Sequence, residues 1–166
     1  MKYAISALNS MNQDEFVATL GSIFEESPWI AESAWHKRPF ADLKSLHQSM
    51  VDVMREANNV EQMALICKHP DLATKTKMTE SSVKEQAGVG LDRLTSEEFE
   101  KFNSLNQAYK TKFNFPFIVA VRNHTKDSIL VAFMQRLENS KEAEFHTVLA
   151  EIEKIAWFRL QAIVET

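Results

Sequence analysis

Most of the chemistry open to this chain is packed between positions 69 and 92. His69-Pro70-Asp71-Leu72-Ala73 comes first, and Ser81-Ser82-Val83-Lys84-Glu85-Gln86-Ala87-Gly88-Val89-Gly90-Leu91-Asp92 follows, holding two of the 3 glycines in the protein. An imidazole titrates near neutral pH, a carboxylate can transfer a proton once its pKa is raised, and glycine lets backbone approach a ligand closely. The pattern points to acid/base chemistry on a small molecule. A plain loop between helices is the competing explanation.

Other chemistries find no footing in the spacing. None of His36, His47, His69, His124 and His146 has a glutamate three residues before it, and no two lie four apart, so bundle-type and zincin-type metal sites are absent from the pattern. Glu32/His36 and Glu142/His146 read as surface pairs one helical turn apart. Gly88-Val89-Gly90 lacks the third glycine and preceding strand of a dinucleotide site, and no phosphate loop or Gly-x-Ser-x-Gly elbow occurs. Cys67 falls on an apolar helix face and is expected in the core. Acid/base chemistry without metal or cofactor is what remains.

The elements that would position these residues are helices. With 3 glycines and 4 prolines in 166 residues, the chain has too few turn formers for a sheet protein. Asn12 with Glu15 and Thr95 with Glu98 are capping boxes, each followed by an apolar stripe at helical spacing. Ser27-Pro28 predicts a helix start with Ser27 as N-cap, and Asn59 with Gln62 predicts another running through Cys67. Leu43, Leu46, Met50, Val51, Met54 and Ala57 form one buried face. Thr79 should cap a short helix carrying Ser82, Glu85 and Gln86, ended by Gly88. The last two helices are expected over 126–138 and 141–164. One run departs from the pattern: Phe115-Pro116-Phe117-Ile118-Val119-Ala120-Val121-Arg122 is continuous, apolar and partly β-branched, with no second strand to pair with it. Its backbone donors and acceptors need partners, and a polar ligand could supply some. The expected architecture is therefore an all-α, single-domain bundle of about seven to nine helices over 1–166, with one extended internal segment at 115–122.

Composition narrows the setting. Hydrophobic residues make up 45% and charged residues 25%, with a net charge of −4 and no like-charge run, which disfavours a nucleic-acid surface. A lone cysteine fits a reducing compartment. The short apolar start, Met1 to Leu8, is too brief for a secretory signal. No stretch reaches membrane-spanning length, and Val164-Glu165-Thr166 is not a peroxisomal tag, so cytoplasm is expected.

Taken together, several blocks resemble the 2-oxo-4-hydroxy-4-carboxy-5-ureidoimidazoline (OHCU) decarboxylase family of uric acid breakdown. They are Phe24-Glu25-Glu26-Ser27-Pro28-Trp29-Ile30-Ala31-Glu32, Trp35 through Arg38-Pro39-Phe40, Leu46-His47, His69-Pro70-Asp71-Leu72-Ala73, Glu85-Gln86-Ala87-Gly88, Leu105-Asn106-Gln107-Ala108-Tyr109 and 115–122. The resemblance implies an all-α fold and cofactor-free decarboxylation to (S)-allantoin and carbon dioxide, with OHCU as small-molecule substrate and a homodimer as the assembly. It also implies His69 and Glu85 as catalytic residues. Pro70, Ser82, Gln86, Arg122 and the backbone of Phe117, Ile118 and Val119 are implied as substrate ligands. Asn114 stands where many relatives would carry glycine, a change the left-handed tolerance of asparagine makes cheap.

Ser82, Glu85 and Gln86 lie within one helical turn, and the Arg122 fork suits a carboxylate or a ureido edge. Without the resemblance, His69 would be a turn residue, Glu85-Gln86 a solvated face, Asp71 a cap and Arg122 a surface charge. His47 would be a satisfied, partly buried histidine, and Trp29 and Trp35 would be core anchors. The alternative function is a non-catalytic helical interaction module that docks a partner through the apolar 115–121 run.

Overall fold

The computed structural model describes residues 1–74 and 78–166. Among them are nine α-helices: α1 (Ile5–Ser10), α2 (Gln13–Leu20), α3 (Trp29–Trp35), α4 (Leu43–Glu56), α5 (Asn59–Lys68), α6 (Glu80–Gly88), α7 (Ser96–Phe113), α8 (Lys126–Arg136) and α9 (Lys141–Ile163). No strand occurs among the described residues beyond an isolated parallel bridge between Tyr3 and Val164. The all-α class is as expected. The chain divides into two compact units, Met1–Lys68 with Glu153–Thr166, and His69–Ile152.

In the first unit, α1 was not anticipated. It buries only Leu8, so it leaves no apolar period to read. Tertiary bonds hold its start, Tyr3 N–H to Ile163 O at 2.8 Å and Glu165 N–H to Tyr3 O at 2.8 Å. α2 begins with the Asn12/Glu15 capping box. α3 corrects the expected start: Pro28 is the cap residue, and the Ser27 hydroxyl donates to Glu25 O at 2.8 Å instead of capping. α4 buries the expected Leu43, Leu46, Met50, Val51 and Met54, with Asp42 as its cap.

The α5 cap also shifts by one position. Asn58 accepts from Glu61 N–H at 2.8 Å, whereas Gln62 is buried and donates to Met54 O at 3.1 Å. Cys67 is exposed, not in the core, because Leu65 and Ile66 take the buried face of that turn. His47 is partly buried as expected, its Nε2 donating to Glu153 O at 2.8 Å. Trp35 is half-buried, with its indole N–H on Met11 O and the Arg38 guanidinium 3.9 Å above its ring. Arg159 and Glu25 form a buried ion pair at 2.8 Å.

The second unit is built on aromatic rings. Tyr109 meets Phe115, Phe117 and Phe133 edge-on, and Phe117 stacks on Phe133 with centroids 3.7 Å apart. Thr79 caps α6, and Thr95 with Glu98 boxes α7, as the spacing predicted. A further box, Thr125 with Ser128, opens α8. Asn114 ends α7 at φ 62, the left-handed geometry for which asparagine is suited. From Phe115 to Val121 the side chains are buried. The segment runs without turn, bend or strand pairing from Pro116 to Ala120, and it closes in a 3-10 turn, Val121–Asn123, that takes in Arg122.

Candidate active site

His69 is the first residue after α5 and is 8% exposed. The chain turns sharply behind it, and Ala73 sits at φ 57, a left-handed conformation that costs a residue with a side chain about 1 kcal/mol or more. Three side chains hold that turn. Gln86 Oε1 accepts from Ala73 N–H at 2.9 Å, and its Nε2 donates to Asp71 O at 3.3 Å. Asn106 Nδ2 donates to Leu72 O at 2.9 Å. Lys110 pairs with the Asp71 carboxylate at 3.1 Å, so Asp71 faces a cation of α7.

α6 is the second component. Its Thr79 cap accepts from Ser82 N–H, which sets the phase of the helix, and Ser82 and Gln86 are buried while Glu85 is half-buried. Gln86 joins α6 to the His69 turn. The same helix packs against the 3-10 turn that bears Arg122, whose side chain is exposed. His69, Pro70, Ser82, Glu85, Gln86 and Arg122 thus come from three stretches of chain that touch α6 or belong to it.

The extended segment is the third component. Phe117, Ile118 and Val119 are 1%, 3% and 5% exposed, so their side chains offer no docking face and the interaction-module alternative loses its surface. Side chains take up two backbone groups of the segment. Arg136 Nη1 donates to Ile118 O at 2.6 Å, and Ala120 N–H donates to Glu151 Oε1 at 3.1 Å. Arg136 is itself clamped by Glu144, Nε to Oε1 at 3.0 Å and Nη2 to Oε2 at 2.9 Å. The Tyr109 hydroxyl donates to Glu144 Oε2 at 2.5 Å. Burial, and then the bond to Glu144, push the Tyr109 phenol far above its ordinary value, so it stays a donor.

Reading the residues alone missed Arg136, Glu144, Glu151 and Asn106. A signal existed for three of them. Glu144 and Glu151 are seven residues apart on α9, in phase with buried Val148, Ile152 and Ala156. Arg136 falls in phase with Ile129 and Phe133 on α8. A charge inside an apolar stripe announces a buried partner. Among the described residues, no group of three or more His, Cys, Asp or Glu is placed to hold a metal ion. An open hollow of about 520 Å³ lies on the outer side of α7, lined by Asn103, Ser104, Gln107, Ala108, Thr111 and Lys112, and it includes none of the candidate residues.

The family model for OHCU decarboxylase matches residues 9–161. The chain belongs to the OHCU decarboxylase family. The decarboxylase of Halalkalicoccus jeotgali is 38% identical over 162 residues, covering 98% of this chain and 92% of that protein. The uric acid degradation bifunctional protein of Bacillus subtilis is 44% identical over 162 residues, and there the match spans 98% of this chain but 33% of the larger protein. Among solved structures, an (S)-allantoin synthase superposes with a TM-score of 0.82 at 32% identity, covering 98% of this chain and 55% of that one. An OHCU decarboxylase crystallised with (S)-allantoin shares the fold, with a TM-score of 0.70 at 19% identity, over 92% of this chain and 97% of that one. Members of the OHCU decarboxylase family are named as decarboxylases, which makes this chain a carboxy-lyase acting on a small molecule. No helix among the described residues is long and apolar enough to cross a membrane.

Proposed function

We propose that this chain decarboxylates OHCU to (S)-allantoin and carbon dioxide, the last step from urate to allantoin, with His69 and Glu85 as its proton-handling pair. The observation that carries the reading is α6: one helix bears Ser82, Glu85 and Gln86, braces the His69 turn through Gln86 and packs on the turn that holds Arg122.

The chemistry asks for little more than placement. When the bond between the quaternary ring carbon and its carboxylate breaks, carbon dioxide leaves and the electron pair moves into the adjacent ring C=N. The substrate is its own electron sink, so the mechanism invokes no cofactor. The ring nitrogen that receives the pair takes up a proton from solvent; the hydroxyl on the quaternary carbon then loses its proton as the carbonyl forms, and the neighbouring ring carbon gains a proton on one face. His69 and Glu85 divide the last two transfers. Arg122 holds a carboxylate or ureido edge with its planar fork. Ser82 offers a hydroxyl, Pro70 shapes the wall beside His69, and Gln86 keeps a second lone pair on Oε1 for a ureido N–H. Backbone groups of Phe117, Ile118 and Val119 contact the ring.

The same reading takes residues 1–166 as one decarboxylase domain, working as a cytoplasmic homodimer. Sedimentation equilibrium checks the assembly. The activity test is circular dichroism on OHCU generated in situ from urate by upstream enzymes. Rapid growth of the (S)-allantoin signal on adding this protein is the expected result. A rate no faster than spontaneous decay refutes the reading.

A further inference from the structure

The geometry points to Arg136 and Glu151 as positioning residues that aim the substrate-facing backbone of the extended segment, an inference that rests on the decarboxylase reading above. The segment from Phe115 to Val121 is buried without strand pairing, so each of its peptide groups must find a partner other than a neighbouring strand. Two of them find side chains. Ile118 O takes Arg136, and Ala120 N–H takes Glu151. These residues are two apart, and along an extended chain alternate residues present their peptide groups to the same edge. Phe117 and Val119 therefore turn theirs toward the opposite edge, away from Arg136 and Glu151, which narrows the ring contacts assigned above to those two residues and makes Ile118 O an anchor. The two side chains hold one edge of the segment and leave the other for the ring of the substrate.

The Arg136 fork makes this a fixed direction. Nε and Nη2 are tied to Glu144, Nη1 is on Ile118 O, and the guanidinium lies 4.2 Å from the Phe117 ring centroid. Glu144 is fully buried and takes further bonds from Tyr109 and from Asn139 Nδ2 at 3.1 Å. A buried ion pair adds little stability compared with well-packed apolar residues of the same volume. What it supplies is a donor at a set place and angle, which an apolar core cannot. Glu144 and Glu151 sit two turns apart on one face of α9, so a single rigid helix sets both attachment points. Lysine in place of Arg136 would keep the charge but lose the fork that serves Glu144 and Ile118 O together.

The test is steady-state kinetics on OHCU generated in situ, with far-UV circular dichroism and melting curves, for Arg136→Lys, Glu151→Met and Glu151→Gln. Glu151→Met fills the volume without an acceptor, whereas Glu151→Gln keeps an oxygen for Ala120 N–H. The expected result is a KM raised about tenfold in Arg136→Lys and Glu151→Met, as loss of one buried hydrogen bond to a binding group would give, with kcat within about threefold. Glu151→Gln should stay within about twofold of wild-type KM, since its amide oxygen accepts the same bond. If Arg136→Lys fails to fold, the two Glu151 variants decide. A loss confined to melting temperature or to kcat overturns the positioning role, and so does a Glu151→Gln as impaired in KM as Glu151→Met. An unmodified protein inactive on OHCU refutes the decarboxylase reading itself. An active one with wild-type KM in Glu151→Met refutes only the positioning role.

Discussion

The turn from His69 to Thr74 and the extended segment from Phe115 to Val121 both run outside any α-helix or sheet, buried or partly buried along their length, and they are held by different chemistry. The turn is held mainly by neutral amides, Gln86 on Asp71 and Ala73 and Asn106 on Leu72, with the Lys110–Asp71 pair at its more exposed edge. The segment depends on Arg136 and Glu151, eighteen and thirty-one residues on, and on the carboxylate of Glu144 that holds Arg136. The side-chain chemistry assigned to His69 and Glu85 belongs with the amide-held part. The backbone contacts assigned to Phe117 and Val119 belong with the part that exists only once α8 and α9 are docked. Damage to the first should therefore appear in turnover, and damage to the second in stability and substrate affinity.

The largest effect expected from that contrast is catalytic. His69→Ala should lower turnover by about 10²–10⁴-fold while far-UV circular dichroism and melting temperature hold, because a positioned acid/base supplies rate rather than packing. Glu85→Gln should act likewise, lowering kcat far more than affinity for (S)-allantoin. A His69→Ala protein that unfolds yet keeps its activity per folded molecule would make the turn structural and erase the distinction.

Next in size is a stability contrast. Glu144→Ala leaves the Arg136 charge buried without its carboxylate and should cost about 3–5 kcal/mol in urea unfolding. Thr79→Ala removes only the α6 cap, at about 1 kcal/mol. Equal costs would mean that the buried charges hold the segment no more strongly than a neutral cap holds its helix.

Arg122 stands where the segment passes into the 3-10 turn against α6. Arg122→Lys keeps charge and loses the fork, so KM should rise a few-fold with kcat little changed, and Arg122→Ala should be worse in both. Wild-type kinetics in Arg122→Ala would remove that end of the segment from the site.

The smallest effect lies in the α7 cap. Glu98 is held below its ordinary 4.5, first by the Thr95 backbone N–H and then by Lys126. A depressed carboxyl contributes stability that is present above its unfolded pKa and lost as pH falls through its lower folded value. Wild type should therefore exceed Glu98→Gln in melting temperature above about pH 4.5, and the two should converge as pH drops through the acid range below it. A gap independent of pH would assign the effect to the amide's geometry instead of to charge.

What could be read from residues alone followed from interactions that close within one turn. Asn12 with Glu15, Thr79, and Thr95 with Glu98 start helices where their spacing says, because a cap and its N–H partner are three residues apart. Asn114 takes the left-handed position for an equally local reason. Where two local solutions competed, spacing could not choose. Asn58 with Glu61 won over Asn59 with Gln62 because burial claimed the Gln62 amide for Met54 O. Cys67 lay outward because Leu65 and Ile66 filled the inner side of α5. The 115–121 run was legible as apolar, extended and in need of partners, but the identity of those partners was not. Arg136 and Glu151 reach it only after two helices distant in sequence have packed against it, and no residue spacing encodes a hydrogen bond that tertiary docking alone brings within reach.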